Sequence, residues 1–479
     1  MKKEISCLLE AATKGRKQIN TKNIFRNIGF DGDNPRLGWV NIPSWEAIKK
    51  ALTGCLDIIG DRDRFVFIGM GGSINGIKTI AEFNPKSGIY CLDSLDPRAL
   101  RNLRYHIKEQ KKVMVIPISK SGTTKETQLL AGVFKGLWGK KSVDNFLWLT
   151  DPSSSAKLDR EGWSRFHRLY IQVDKKSDIG GRFSSPHTLI FLLPLFIALR
   201  RRFGRLKAVY DEYCGLREKI AESALLTARK YERVNKAYFS IILKGLLSEG
   251  FRTWITQLFQ ESLGSKKKGL AVKTLVAAKH NKHNIFRPVS LGLKIEDPFV
   301  RIMSEMYYLQ NFVALYAYHK KINFVNQPCV EEYKATMRSI TFKDLKKMEV
   351  LDLTEVVDEA RKRIKPNHKF IEIILYLYPA KSMISKVESV FKKHFRGRHI
   401  FVFVGSDWNH HSYQAAYGSK DTFFILLTRD KYAGAHFYAN YEGISNNINT
   451  LKLISYATYL TIKKKSFLAA IKTNSKGEL

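Results

Sequence analysis

Short apolar runs alternate with stretches of helical periodicity along most of the chain from residue 61 onward. The runs are brief and continuous, which is typical of strands buried on both faces of a parallel sheet. Strands that alternate with helices in this way predict crossover units, and therefore an α/β fold with doubly wound parallel sheets of flavodoxin-like character. In the first block, residues 61–205, the predicted strands cover residues 65–68, 89–92, 113–118, 146–149 and 169–173.

A second block of the same kind is predicted over residues 206–435, with helices to about residue 247 and a long apolar-striped helix over about 298–319. This block is compatible with a distant repeat of the first domain. Its predicted strands cover residues 274–278, 289–293, 370–376, 399–404 and 423–427. Residues 1–60 are predicted to form a helical lead-in and residues 436–479 a helical tail.

The third strand of the first block runs into a hydroxyl-rich turn, Ser119-Lys-Ser-Gly-Thr-Thr124, and then into a helix. A helix start directs unpaired backbone N–H groups and the positive end of the helix dipole at one point, which suits a phosphate. The hydroxyls can donate to phosphate oxygens, and Gly122 lets the backbone approach closely. An ordinary helix N-cap with surplus hydroxyls is the alternative that this stretch leaves open.

The first strand of the same block ends in a glycine-rich turn at residues 69–76. Its glycines do not have the dinucleotide spacing, in which the third glycine comes three residues after the second. The turn with Ser73 suits a sugar phosphate better, although a Gly-Gly-Ser turn is also a common structural device. Because both turns follow strands of a parallel sheet, we expect both at the carboxyl edge, where such sheets bind ligands.

Two charged side chains stand out beyond these turns. Arg182 follows two glycines within residues 178–185, and the tight turn can present its guanidinium to a ligand or to a surface ion pair. Glu261 lies in the last turn of a predicted helix that ends at a C′ glycine, Gly264. The helix dipole disfavours a carboxylate there, so its proton affinity would suit a base working near neutral pH. A solvated glutamate at a helix end is the alternative.

The charge of the chain is unusual, since 81 basic and 44 acidic residues give a net charge of +37. Such a field attracts polyanions or anionic substrates. The basic residues are spread through the chain with only short runs, such as residues 266–268 and 463–465, so a solvated lysine-rich surface is favoured over a nucleic-acid partner.

Five scattered cysteines without a C-x-x-C argue against a disulfide framework or a structural zinc site and predict a cytoplasmic location. No signal peptide is evident, and the longest apolar run, residues 189–199, is too short to cross a membrane.

These motifs together resemble those of the glucose-6-phosphate isomerases, proteins of two sugar-isomerase α/β domains. The resemblance covers about residues 60–430 and is similar in motif order to the isomerase module fused to transaldolase in some bacteria. The family's glycine/serine turn, S-K-[ST]-x-x-T loop, G-G-R-[FY]-S, E-S-x-G-K, I-N-P-F-D-Q-P-x-V-E-x-x-K and H-x-x-x-Q have counterparts at residues 71–73, 119–124, 180–184, 261–265, 322–334 and 410–414.

The resemblance implies a glycolytic homodimer that interconverts glucose 6-phosphate and fructose 6-phosphate through an enediol, without a metal or cofactor. Glu261 would carry the proton between C2 and C1, and Arg182 would stabilise the enediolate. His410, helped by Lys334, would open the sugar ring. The set that binds the phosphosugar would comprise Gly72, Ser73, Ser119, Lys120, Ser121, Thr124 and Gln327.

Several positions depart from the family pattern. Ser265 takes the place of the lysine in E-S-x-G-K, and Asn326 takes the place of the aspartate in P-F-D. The His-Ser pair of the histidine motif is one residue out of phase, so His411 is the reserve for His410. Two alternatives follow from these departures: a catalytically weak or silent sugar-phosphate-binding regulator, and an aminosugar-phosphate isomerase.

Overall fold

The structure is a computed structural model that describes residues 3–104, 106–232, 238–242, 248–275, 285–286, 295–345, 348–432 and 443–474. The helices are α1 (Lys3–Thr13), α2 (Phe25–Ile28), α3 (Trp45–Ile59), α4 (Asn75–Phe83), α5 (Pro97–Leu103), α6 (Lys125–Trp138), α7 (Ser155–Leu158), α8 (Leu189–Ala198), α9 (Phe203–Glu232), α10 (Glu249–Leu263), α11 (Pro298–Lys320), α12 (Val330–Ser339), α13 (Leu353–Arg363), α14 (Lys381–His394), α15 (Asp407–His411), α16 (Tyr413–Gly418) and α17 (Gly443–Ile462).

The strands are β1 (Phe30–Asp31), β2 (Asn34–Pro35), β3 (Arg64–Ile68), β4 (Ile89–Leu92), β5 (Val113–Pro117), β6 (Leu147–Thr150), β7 (His167–Tyr170), β8 (Tyr238–Ile242), β9 (Ala271–Leu275), β10 (Ile285–Phe286), β11 (Val350–Leu351), β12 (Phe370–Tyr376), β13 (His399–Val404), β14 (Thr422–Arg429) and β15 (Ser466–Ile471).

The first parallel sheet is built from the five strands predicted for residues 61–205. Strand β3 lies between β4 and β5, and β6 pairs with β7, all in parallel. Two further parallel bridges, Val115–Phe146 and Ile118–Leu149, join β5 to β6. The resulting order β4-β3-β5-β6-β7 is that of flavodoxin-like sheets, in which the crevice between the first and third strands binds ligands. The α/β prediction is therefore confirmed for this block.

The second parallel sheet has the order β11-β15-β14-β12-β13. In chain order, β12 to β15 repeat the arrangement of the first four strands of the first sheet. Strand β15 was not expected, because residues 436–479 were predicted to be a helical tail. Its six residues instead pair with β14 from Phe424–Ser466 to Arg429–Ile471, after the predicted helix has ended at Ile462.

A third, smaller sheet has the order β10-β8-β9. Strand β8 corrects the sequence analysis, which extended helices to residue 247. Its sequence, Tyr-Phe-Ser-Ile-Ile, is aromatic and β-branched and fits a pleated surface better than a helix. Strand β9 overlaps only the start of the strand predicted at 274–278, and the strand predicted at 289–293 lies outside the described residues.

The lead-in also differs from its prediction, since residues 30–35 form a small antiparallel hairpin between α2 and α3. Arg36 follows this hairpin and donates to the carbonyl of Ser177 at 2.8 Å, and Leu37 bridges Ile179. The N-terminal segment is therefore fastened beside the turn that carries Arg182. The division into residues 1–60, 61–205, 206–435 and 436–479 stays a prediction.

Helix α10 carries Glu261 and is held against α4 by one close backbone approach. A Cβ atom on Gly250 would lie 2.5 Å from Lys78 Cβ and 2.6 Å from the Thr79 amide nitrogen. From Trp254 to Leu263, every side chain of α10 is buried. The last turn of the helix, which carries Glu261, is therefore surrounded by protein.

This contact gives a stability prediction. Gly250→Ala should cost about 1–3 kcal/mol of folding free energy, because the added methyl group meets backbone atoms as well as a side chain. The matched control is Gly54→Ala in α3, where a Cβ would meet nothing within 4 Å. There the better helix propensity of alanine should stabilise by up to about 1 kcal/mol. Urea unfolding of both variants is the measurement, and equal midpoints would show that the α4–α10 contact is not tight.

Candidate active site

The glycine turn after β3 is clamped between two other segments. The amide of Gly71 (φ +53°) donates to Asp407 Oδ1 at 2.7 Å, at the start of α15. A Cβ on Gly72 would overlap the carbonyl of Gly181 and the amide of Arg182. A side chain at Gly72 would overlap backbone atoms, and one at Gly71 would be strained by the positive φ. The hydrogen bond from Gly71 to Asp407 brings the carboxyl edges of both large sheets together. Ser73, the half-buried last residue of this turn, donates its amide to the carbonyl of Met70.

The hydroxyl-rich loop closes on itself at the end of β5. Ser119 Oγ donates to Thr124 Oγ1 at 3.0 Å and accepts from the Thr124 amide at 3.3 Å. Gly122 sits at φ +69°, and Ser121 is exposed. Thr124 is the N-cap residue of α6, but its side chain makes no capping hydrogen bond. The hydroxyl of this N-cap residue is therefore not used to cap the helix, and the choice between a phosphate loop and an N-cap with surplus hydroxyls stays a prediction.

Lys120 reaches across the loop towards the Arg182 segment. Its Nζ lies 3.4 Å from Asp151 Oδ2 and donates to the carbonyl of Ile179. Burial lowers the pKa of Lys120, and the Asp151 carboxylate only partly offsets this effect. The lysine therefore ties the loop to residues 178–182.

Glu261 and Arg182 form a buried pair. Glu261 Oε2 lies 3.5 Å from Arg182 Nη1, and both side chains are almost fully buried. The guanidinium is oriented by two other hydrogen bonds, from Nε to Ser262 Oγ at 2.8 Å and from Nη2 to the Phe324 carbonyl at 2.5 Å. The same carboxylate oxygen accepts from two amide side chains, Gln257 and Gln327, each at 3.1 Å.

This environment raises the pKa of the Glu261 carboxyl towards neutral pH. Burial raises the pKa of the Glu261 carboxyl to about 6, although Arg182, Gln257, His410 and Lys334 all lower it. Gly264, which ends the helix, is extended (φ −78°) rather than left-handed, contrary to the predicted C′ glycine geometry. Its small size matters instead because a Cβ there would lie 2.7 Å from Ala415 Cα. Helix α16 thus packs directly behind Glu261.

His410 is linked to Glu261 through the side chain of Gln257, and its imidazole pairs with an acidic residue of α6. Its Nε2 is 2.8 Å from Glu126 Oε1, and its backbone carbonyl accepts from Gln257 at 2.9 Å. Burial lowers the pKa of His410, but the Glu126 carboxylate more than compensates, and the pKa lies above its ordinary value. His411, the reserve, is buried against Ser412 and Asp407, and burial lowers its pKa to about 3. Of the two histidines, only His410 contacts the groups around Glu261.

Lys334, on α12, lies near the buried carboxylates of Glu126 and Glu261. Its Nζ donates to Glu331 Oε1 at 3.0 Å, and the side chain is 38% exposed. The ammonium is nevertheless close enough to lower the pKa of both Glu126 and Glu261. Lys334 therefore combines a surface ion pair with an electrostatic effect on the buried carboxylates.

A cavity of about 900 Å³ opens beside this cluster and connects several of the predicted residues. Lys120, Ser121, Arg182, Gln327 and Lys334 all line it. Six of the lining residues are cationic and four are acidic, which leaves an excess of two positive charges; the cations are Arg36, Lys120, Lys157, Lys176, Arg182 and Lys334, and the acids are Asp31, Asp151, Asp178 and Glu331. The size and the charge match a phosphate dianion on a small polar molecule.

Two departures from the family pattern can be located. Ser265 starts a tight turn in which Lys268 is the hydrogen-bonding partner, and the adjacent Lys266 pairs with Glu332 on the outside of α12. Lys266 therefore does not replace the missing lysine. Asn326 lines the cavity, and its backbone N–H donates to Asn323 Oδ1 at 3.2 Å.

Three side chains of the site escaped the sequence analysis. Glu126 had a signal, since it lies in the first turn of α6 directly after the hydroxyl-rich loop. Gln257 also had one, because it precedes Glu261 by one helical turn and so lies on the same face. Arg36 had none, since only the fold brings residues 31–36 to the cavity.

Comparisons with known proteins agree with this picture. No family model matches the chain. The chain is 27% identical over 299 residues to a glucose-6-phosphate isomerase of Caldanaerobacter subterraneus subsp. tengcongensis, covering 56% of this chain and 61% of that protein. The chain is similar to glucose-6-phosphate isomerases. A protein of that name from Listeria monocytogenes is 28% identical over 276 residues, covering 50% of this chain and 58% of the relative.

Each match thus spans about three fifths of the relative's length. A solved structure of a glucose-6-phosphate isomerase from Chlamydia trachomatis shares 16% identity with a TM-score of 0.52, over 70% of this chain and 83% of that chain. At this identity the likeness concerns the fold alone. The predicted resemblance to glucose-6-phosphate isomerases is confirmed.

Within the described residues, no helix combines the length and the apolar character that a membrane span requires.

The electrostatics of the site predict how kcat/KM depends on pH. If Glu261 must be ionised to act as a base, kcat/KM should fall as the pH drops through about 6, because burial raises the pKa of Glu261 to that value. Lys334→Gln removes a positive charge that lowers this pKa, so the acid limb of the kcat/KM profile should move to higher pH. The substitution does not alter the ionisable groups of the free substrate, so a shift of the acid limb assigns that limb to a group of the protein.

The matched control is Arg338→Gln, which removes another cation of α12 that lies 3.9 Å from the same Glu331. Its acid limb should coincide with that of the unmodified chain. Identical profiles for all three proteins would remove Lys334 from the electrostatics of Glu261.

Proposed function

We propose that this protein is an aldose–ketose isomerase that interconverts glucose 6-phosphate and fructose 6-phosphate by proton transfer through an enediol. The observation that carries the proposal is the buried Glu261–Arg182 pair at 3.5 Å, set beside a cavity with an excess of two positive charges. The similarity to glucose-6-phosphate isomerases over half of the chain supports the choice of substrate.

The phosphate of the sugar occupies the loop after β5. Ser121 and Thr124 donate their hydroxyls to the phosphate, and Ser119 turns its hydroxyl from Thr124 to the same group. The N-terminus of α6 supplies backbone N–H groups, and Lys120 adds a positive charge. Gly72 and Ser73 form the adjacent wall from the turn after β3. These contacts to the phosphate are remote from the reacting carbons. The binding energy that they supply holds C1 and C2 in position for the reaction.

Ring opening falls to the His410–Glu126 pair. An imidazole whose pKa is raised by a neighbouring carboxylate can hold a proton near neutral pH and donate it to the ring oxygen as the ring C–O bond breaks. It then takes up the proton that the anomeric hydroxyl loses as the carbonyl forms. Lys334, which borders the cavity, assists by its charge. Both His410 and Glu126 belong to one chain, so this contact requires no second copy. A homodimer and a cytoplasmic location stay predictions.

Glu261 then moves the proton between C2 and C1. Its pKa of about 6 suits both removal and return of the proton at neutral pH. As the enediolate forms, negative charge develops on the sugar oxygens, and the fixed guanidinium of Arg182 stabilises it without reorganising. Gln327 and Gln257 hold the carboxylate in one orientation.

The direct test is a coupled assay that follows fructose 6-phosphate to glucose 6-phosphate on the purified chain. Glu261→Gln should lower kcat by roughly 10²–10⁴-fold, the usual size of an acid–base contribution, with KM little changed. Glu249→Gln, an exposed position on the same helix, is the matched control and should keep full activity.

Three results would overturn the proposal. A loss below about tenfold in Glu261→Gln would remove this residue from the chemistry. Binding of fructose 6-phosphate without turnover by the unmodified chain would favour a silent regulator. Turnover of an aminosugar phosphate in preference to glucose 6-phosphate would assign a different substrate.

A further inference from the structure

Cationic side chains from four distant segments gather at one edge of the second sheet. Strands β15, β14, β12 and β13 are adjacent and parallel, so the segments that precede them all meet at the amino edge. We call the exposed cations of these segments the basic edge: Arg361, Lys362, Arg363, Lys365, Lys369, Lys392, Lys393, Arg396, Lys420, Lys463 and Lys464. In the sequence they form only short, separate runs, whereas the fold assembles them into one surface.

Acidic residues neutralise only part of the basic edge. Arg361 pairs with Asp358, Lys362 and Arg363 share Glu359, and Lys392 pairs with Glu388, all within their own helices. Among the described residues, the other seven cations form no salt bridge: Lys365, Lys369, Lys393, Arg396, Lys420, Lys463 and Lys464. Cations at helix C-termini stabilise the helix dipole. That role does not require the loop residues beyond α13 and α14.

The arrangement favours a polyanion over an apolar partner. Strands lie about 4.8 Å apart, so the four strand starts span roughly 14 Å, and lysine side chains extend this further. Among the large hydrophobic side chains exposed in the described residues, only Leu460 is near the basic edge, one helical turn before Lys463; the others are Leu137, Leu226, Phe342 and Val350. A surface with closely spaced cations and a single exposed leucine at its margin fits the phosphate backbone of a nucleic acid better than a membrane.

We propose that the basic edge binds nucleic acid through its phosphate backbone, without reading sequence. The candidate active site lies at the opposite edge, since α15 with His410 follows the carboxyl end of β13. The six residues of β13 separate the two edges by roughly 20 Å. A sugar phosphate and a nucleic acid can therefore bind at the same time, and the proposal does not depend on the proposed enzymatic activity.

The test measures binding of a fluorescent DNA duplex of arbitrary sequence, about 25 base pairs long, across a salt series. If four to seven phosphates are contacted, the logarithm of the association constant should fall with the logarithm of salt concentration with a slope of about −4 to −6. The edge variant combines Lys365→Gln, Lys369→Gln, Lys393→Gln, Arg396→Gln and Lys463→Gln. It should lose at least about 30-fold in affinity, and its slope should flatten by several units, since each lost phosphate contact removes about one.

The control variant removes five exposed cations elsewhere, by Lys17→Gln, Lys22→Gln, Lys49→Gln, Lys50→Gln and Lys86→Gln. Its net charge equals that of the edge variant, and its affinity should stay within about threefold of the unmodified chain. Saturating fructose 6-phosphate should not displace the duplex. Thermal unfolding of both variants confirms that they are folded.

Four results would overturn the proposal. Equal losses of affinity in the two variants would show that net charge alone drives binding. Absence of duplex binding at low salt would show that the basic edge is not a nucleic-acid site. Displacement by fructose 6-phosphate would place the duplex at the active-site cavity. Binding to vesicles rich in phosphatidylserine, with none to the duplex, would identify a membrane surface instead.

Discussion

The buried ion pair between Arg182 and Glu261 is the constraint on which the candidate site depends. Two charges removed from water are costly unless their remaining hydrogen bonds are made. Here Ser262 and the Phe324 carbonyl accept from the guanidinium, and Gln257 and Gln327 donate to the carboxylate. The pair therefore joins three segments of the chain: the turn with Arg182, helix α10, and the segment with Phe324 and Gln327. Burial of the Glu261 carboxyl within this arrangement raises its pKa to about 6.

The parallel architecture explains how such distant segments meet. In a parallel sheet every strand delivers its following loop to the same edge. The glycine turn follows β3, the hydroxyl-rich loop follows β5, and the helix with His410 follows β13. The hydrogen bond from Gly71 to Asp407 joins the carboxyl edge of the first sheet to that of the second. The same rule gathers the segments that precede the strands at the opposite edge, where the cations accumulate.

The sequence predicted those parts of the fold that local pattern controls. The strands β3 to β7 and the helix that carries Glu261 follow from apolar runs and periodicity. Strand β15 was missed because it follows a lysine-rich stretch, and β8 because a helical pattern was extended too far. In the site, motifs pointed to Glu261, Arg182 and the hydroxyl-rich loop. The role of Arg36 and the surface pairing of Lys266 depend on contacts between remote segments, which no local pattern contains.

The proposed function requires that one sugar phosphate extend from the loop after β5 to the Glu261 carboxylate. A crystal structure of the chain with fructose 6-phosphate bound would show whether it does. We predict phosphate oxygens within hydrogen-bonding distance of Ser119, Ser121 and Thr124, and a Glu261 oxygen about 3–3.5 Å from C1 or C2 of the sugar. A phosphate bound elsewhere, or a sugar whose first two carbons lie beyond the reach of Glu261, would rule out the proposed function of these residues.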